Sequence, residues 1–165
     1  VSKLAAERYC RVYHKSLGLS TISLRYFNVY GERQGSNAYS GVIAIFAERL
    51  LKGQRPIIYG DGTQTRDFIH VSDAVRANLL ALQATNGGGE AFNIGTGQAT
   101  TIKELLHFFA ESMGKAKVLA VSKPARKSDI RESCANIAKA RSTLGFRPKI
   151  TIRHGLRLLV DSLRS

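Results

Sequence analysis

The strongest constraint on this chain is the alternation of two hydrophobic periods along its length. Stretches with apolar residues three and four apart are separated by short β-rich runs. Leu4, Ala5, Tyr9, Val12 and Tyr13 give residues 3–17 a helical spacing, and Gly18 is a suitable stop. Residues 21–27 read as a strand, and Asn28 to Asn37, polar and glycine-containing, as a loop. Val42, Ile43, Ile45, Phe46, Leu50 and Leu51 predict a second helix ending near Gly53. Residues 56–59 form a short strand before the turn Gly60-Asp61-Gly62, and residues 68–71 another. Ser72 suits the cap of a helix that carries Val75, Leu79 and Leu82 on one face. Residues 91–94 make a strand. Thr100 or Thr101 then caps a helix with Ile102, Leu105, Leu106 and Phe109 inward. A strand at 118–121, an irregular stretch at 122–135, a short helix at 135–144 and a last amphipathic helix over Ile152, Leu156, Leu159, Val160 and Leu163 complete the pattern. Such alternation predicts an α/β fold.

Composition narrows the class. A chain of 165 residues has the size of about one domain. It can bury roughly 70% of its unfolded surface without disulfides or metal. No apolar stretch approaches the roughly 18 residues of a membrane span. Cys10 and Cys134 are far apart and outside any C-x-x-C pattern, so free thiols in a cytoplasmic protein are expected. The net charge of +13 is uneven: residues 115–165 carry 13 basic and three acidic side chains, against 12 and nine before them. A polyanionic partner would suit that tail. However, its one aromatic residue, Phe146, offers no stacking platform, and no nucleic-acid-binding motif accompanies it. A solvated basic surface accounts for most of these charges. No histidine pair has metal-ligand spacing, so no metal is expected. Gly95-x-Gly97 follows a strand, but Thr100 stands where a dinucleotide fingerprint would have its third glycine; an ordinary strand-to-helix turn suffices.

Four motifs fall in one order. Ser2-Lys3-x-x-x-Glu7 opens a helix, and Leu24-Arg25-Tyr26-Phe27-Asn28-Val29-Tyr30-Gly31 runs from a strand into a loop. Tyr59-Gly60-Asp61-Gly62-x-x-Thr65-Arg66-Asp67-Phe68-Ile69-His70-Val71-x-Asp73 and Phe92-Asn93-Ile94-Gly95-Thr96-Gly97 follow. Together they resemble the C-terminal half of the extended short-chain dehydrogenase/reductase family, among its NAD-dependent nucleotide-sugar epimerases and dehydratases. UDP-glucose and UDP-N-acetylglucosamine 4-epimerases are the nearest in pattern. The resemblance covers the whole chain. It implies the last elements of a Rossmann-type parallel sheet (residues 1–30 and 67–97) and a small α/β nucleotide-sugar domain (31–66 and 98–165). It also implies NAD as cofactor, a UDP-sugar as substrate and a homodimer when full-length. In the reaction it implies, hydride leaves sugar C4 for NAD and returns to the other face of the 4-keto sugar. A Tyr in Y-x-x-x-K takes the hydroxyl proton, helped by a Lys that lowers its pKa and binds the nicotinamide ribose.

Carried over residue by residue, the resemblance makes Lys3 the catalytic, ribose-binding lysine. Tyr26 and Phe27 fall beside the nicotinamide, and Asn28 at the nucleotide-sugar phosphates. Arg66 and Arg126 would bind the diphosphate, since planar guanidinium groups supply charge-assisted, bidentate donors. Arg126 lies in Pro124-Ala125-Arg126-Lys127-Ser128-Asp129, which is similar to the family's R-x-G-D with Ser128 replacing glycine. Asp129 would hold a ribose hydroxyl or orient Arg126. Tyr59 would pack on the uracil, with Val42 and Ile57 beside it; plain core suits these three equally well. Lys3 also reads as a solvated helix-start lysine, Tyr26 and Phe27 as strand core, Asn28 as a turn residue, and 123–131 as a solvated charged loop. Asp67 and Asp73 read as structural, Asp73 in the first turn of a helix where a carboxylate suits the dipole. Asn136, where relatives usually have Asp, and Ala44, where they often have Pro, leave the substrate open.

The family's Tyr would lie four residues before Lys3, and the chain begins two residues before it. No Gly-rich Rossmann loop occurs either. The expectation is therefore the C-terminal portion of a longer 4-epimerase, inactive alone and partnered by an N-terminal Rossmann half. A 4,6-dehydratase or decarboxylase fragment, or a non-catalytic nucleotide-sugar-binding module, are the alternatives.

Overall fold

The computed structural model describes residues 1–34, 41–115 and 118–164. The elements run α1 (Ser2–Leu17), β1 (Ile22–Tyr26), β2 (Asn28–Tyr30), α2 (Val42–Leu51), β3 (Ile57–Tyr59), β4 (Thr65–Arg66), β5 (Phe68–His70), α3 (Val71–Gln83), β6 (Glu90–Ile94), β7 (Thr100–Thr101), α4 (Ile102–Ser112), β8 (Val121–Lys123), α5 (Ala138–Leu144) and α6 (Ile152–Ser162). The fold is α/β. Strands pair parallel as β1–β6, β2–β5 and β3–β8, and β4–β7 is a short antiparallel ladder.

Two apolar cores form among the described residues. One gathers Phe46 and Leu50 of α2, Ile58 of β3, Phe68 of β5, Leu105 and Phe109 of α4 and Leu156 and Val160 of α6. The other joins Phe92 and Ile94 of β6 to Ile69, Ala77, Ala140, Leu144 and Phe146. The inward face expected for α4 is observed: Ile102, Leu105, Leu106 and Phe109 are all buried. Gly155 lets α6 pass close to β2, since a Cβ there would stand 2.1 Å from the Tyr30 hydroxyl.

Several expectations are corrected. Residues 28–30 are a strand rather than the start of a loop. The Asn28 amide donates to Asp67 O (3.0 Å), and the chain continues in register opposite Phe68–His70. Residues 35–37 of that expected loop lie outside the described residues. The strand expected at 118–121 forms at Val121–Lys123, where register with Ile57–Tyr59 sets it. The helix expected from 135 begins at Ala138, whose amide donates to the Asn136 side chain. Ser72 is not the cap of α3; His70 is, and its Nδ1 accepts the Ser72 amide at 3.3 Å. Val75, Leu79 and Leu82 do share a face, but it is the exposed one: α3 buries Asp73, Ala74 and Ala77 instead. On α1 no residue is buried, and Leu4, Tyr9, Val12 and Tyr13 are exposed. Among the described residues no helix is long and apolar enough to cross a membrane.

Candidate functional site

A cavity of about 320 Å³ opens between α2, β3 and the segment after β8. Its wall includes Asn28, Val42, Ile57, Tyr59, Arg66, Arg126 and Asp129. These seven residues run from position 28 to position 129, and the fold brings all of them to one place. Asn28 opens β2, Val42 opens α2, and Ile57 and Tyr59 are the ends of β3.

Arg66 is the most constrained of them. It donates from Nη1 to Thr65 O (2.7 Å) and Ile130 O (2.6 Å), and from Nη2 to the Asp129 carboxylate. Asp129 therefore orients Arg66 rather than Arg126. Gln64 is buried and bonds both Tyr59 O (2.8 Å) and Asp129 (3.5 Å). Arg126 lies over the Tyr59 ring, 4.1 Å from its centroid. The guanidinium beside it holds the Tyr59 phenol below the ordinary tyrosine value, despite some desolvation. The 126–129 turn closes through the Asp129 amide on Arg126 O (3.2 Å). Ser128 does not have a positive φ there, so this turn does not need the family's glycine. Below it, Arg131 makes a bidentate pair with Asp61 at 2.9 and 3.0 Å, which holds that carboxyl well below its usual range.

Lys3, Tyr26 and Phe27 do not line this cavity. Thr21 Oγ1 donates to Cys10 O (2.8 Å), and Arg25 pairs with Glu7 at 2.6 Å, so α1 runs antiparallel to β1. The first turn of α1, with exposed Lys3, thus lies toward the C-terminal end of β1, where Tyr26 and Phe27 sit. Tyr26 donates its hydroxyl to Asn78 (2.9 Å), and the Phe27 amide donates to Ile94 O (2.9 Å). The C-terminal ends of parallel strands are where open α/β sheets bind dinucleotides. An exposed ammonium toward that edge suits the ribose and phosphates of NAD.

Sequence reasoning missed Ile45, Phe46, Arg49, Gln64 and Ile102, which also line the cavity. One signal was available: Val42, Ile45, Phe46 and Arg49 share a helical face, so Arg49 is a cation in an apolar stripe. A larger cavity, about 490 Å³, lies between α1 and the start of β6 with a mostly charged lining; of the predicted site residues it holds none.

The NAD dependent epimerase/dehydratase family matches residues 1–95, more than half of the chain. The chain belongs to that family. A putative UDP-glucose 4-epimerase of Methanocaldococcus jannaschii is 40% identical over 165 residues, covering 100% of this chain and 52% of the relative. A UDP-glucose 4-epimerase of Thermotoga maritima, solved with UDP-glucose, superposes with a TM-score of 0.91 at 43% identity, over 98% of this chain and 51% of its own. The Thermus thermophilus UDP-glucose 4-epimerase, solved with NAD, gives 0.86 at 40% identity, over 99% and 53%. A dTDP-glucose 4,6-dehydratase of an Actinoplanes species is also related, 33% identical over 155 residues, 94% of this chain and 47% of the dehydratase. The chain spans about half the length of the curated relatives it matches.

Proposed function

We propose that the chain supplies the UDP-sugar-binding portion of an NAD-dependent UDP-sugar 4-epimerase. The observation that carries this is the meeting of Asn28, Val42, Ile57, Tyr59, Arg66, Arg126 and Asp129 around one cavity. In this reading the chain is the C-terminal portion of the enzyme. Residues 1–30 and 67–97 complete its NAD-binding sheet, and 31–66 and 98–165 hold the nucleotide sugar.

Each residue has a physical task. Arg66, fixed by Asp129 and two carbonyls, presents a rigid cation to the diphosphate without a large ordering cost on binding. Arg126, stacked on Tyr59, adds a second cation, and Asn28 adds neutral donors. Val42, Ile57 and the Tyr59 ring enclose the base. Lys3, with Tyr26 and Phe27 beside it, would hold NAD, which would supply the hydride acceptor and donor at sugar C4. Lys3 would also favour the ionised form of a phenol placed next to it. A second reading, a nucleotide-sugar 4,6-dehydratase or decarboxylase, draws support from the Actinoplanes relative and uses the same binding residues.

Calorimetric titration with UDP tests the reading. The wild-type protein is expected to bind, and Arg66→Ala to weaken binding by about tenfold or more, the loss of charge-assisted bonds to a diphosphate. No heat with the wild type, or equal affinity in the variant, would overturn it.

A further inference from the structure

Arg49 is the cavity cation with no place in the reading above. It lies on α2 two turns beyond Val42, about 10 Å along the helix axis, beside Ile45 and Ile57. Its Nε donates to Arg55 O (2.7 Å). Arg55 is in turn tied to Leu119 O (3.2 Å) and Ala120 O (2.8 Å), which hold that carbonyl's segment against the strand neighbouring β3. The guanidinium is thus anchored at one nitrogen, while its two Nη groups make no hydrogen bond or ion pair among the described residues. Arg66 by contrast spends its Nη groups on protein carbonyls and Asp129. The cavity therefore has a diphosphate-suited cluster at Arg66 and Arg126, and a separate, oriented donor group among apolar side chains further along α2.

We infer that Arg49 selects a keto pyrimidine, uracil or thymine, over cytosine. This rests on the proposed nucleotide-sugar reading of the cavity. The chemistry is one of donors and acceptors. Guanidinium only donates. Uracil and thymine present a carbonyl oxygen at C4, whereas cytosine presents an amino group there. At C4, cytosine would set donor against donor, a mismatch that discriminates more strongly than a missing contact. The apolar neighbours Ile45 and Ile57 enclose the base without competing for those donors.

The experiment is a calorimetric titration of the protein with UDP, dTDP and CDP, repeated for Arg49→Gln and Arg49→Lys. The wild type is expected to bind UDP and dTDP at least about tenfold more tightly than CDP. Arg49→Gln, whose amide both donates and accepts, is expected to bring UDP and CDP within about twofold of each other. Arg49→Lys keeps a donor-only cation and should retain a UDP preference, which also controls for folding. Equal weakening of UDP and CDP in Arg49→Gln would mean general electrostatics and overturn the inference, as would a wild type that binds UDP and CDP alike. In that last case, sensitivity to Arg66→Ala would leave the binding-site reading intact. A wild type that binds none of the three nucleotides would overturn both.

Discussion

Asp67 is fully buried, and its carboxylate accepts from the Thr96 amide (2.7 Å), the Thr96 hydroxyl (2.6 Å), the Gly97 amide (2.9 Å) and the Ala135 amide (3.1 Å). One side chain thus joins the start of β5, the turn after β6 and the segment before α5. Asp67→Ala strands those donors away from water, so a loss of about 3 kcal/mol or more is expected in urea unfolding. An unchanged midpoint would show that water replaces the carboxylate. Asp73 works in the same way on Lys149 and Ile150, whose amides donate to it at 2.9 Å. Sequence marked both aspartates as structural, but it could not name partners up to 77 positions away. The candidate site was partly legible for a related reason: Asn28, Tyr59, Arg66, Arg126 and Asp129 sit in local motifs that can be read in place, whereas Val42 and Ile57 read equally well as core. Gln64 and Arg49 act through tertiary neighbours, and local spacing does not show those.

At the level of elements, α4 has the complete reciprocal cap. The Thr101 hydroxyl accepts the Glu104 amide (3.1 Å), and Glu104 accepts the Thr101 amide (2.8 Å). Those bonds, the backbone one foremost, hold the Glu104 carboxyl below its ordinary 4.5. A lowered folded value means the stabilisation is present above 4.5 and is lost as pH falls through the folded value. Glu104→Ala, which removes the carboxylate but leaves the Thr101 hydroxyl cap, is therefore expected to cost about 1 kcal/mol at neutral pH and measurably less in acid, by urea midpoints at both. A cost that does not change with pH would rule out the reciprocal bond. Gly155→Ala is a sharper disturbance, because the new methyl meets the buried Tyr30 hydroxyl and has no free direction to take. A loss of about 1–3 kcal/mol is expected, read as a lower melting temperature. Long helices such as α4 and α6 were visible as periodic stripes. The two-residue β4 and β7 were not, since two residues have no period; register with a distant segment makes them strands.

Across the whole molecule, apolar side chains remain on the outside of α1 and α3, with Leu82 at 82% exposure. Exposed apolar faces of this kind favour association. Sedimentation velocity is expected to show concentration-dependent association of the chain, reduced when Leu79 and Leu82 are both replaced by Lys. A single monomer boundary at every concentration would count against it. The strand pairing has a different consequence, one of time. Ile22 meets Glu90, Asn28 meets Phe68, Ile57 meets Val121 and Thr65 meets Thr101, so each pair of strands is separated by at least one helix. No hairpin exists among the described strands to nucleate a sheet. As the chain leaves a ribosome, β1 and β2 must wait for β6 and β5, synthesised seconds later at roughly 5–20 residues per second. Loop closure then precedes any reward from pairing. Until Phe92 and Ile94 emerge, β1 is without its β6 partner. That interval is when the chain most needs protection from other chains.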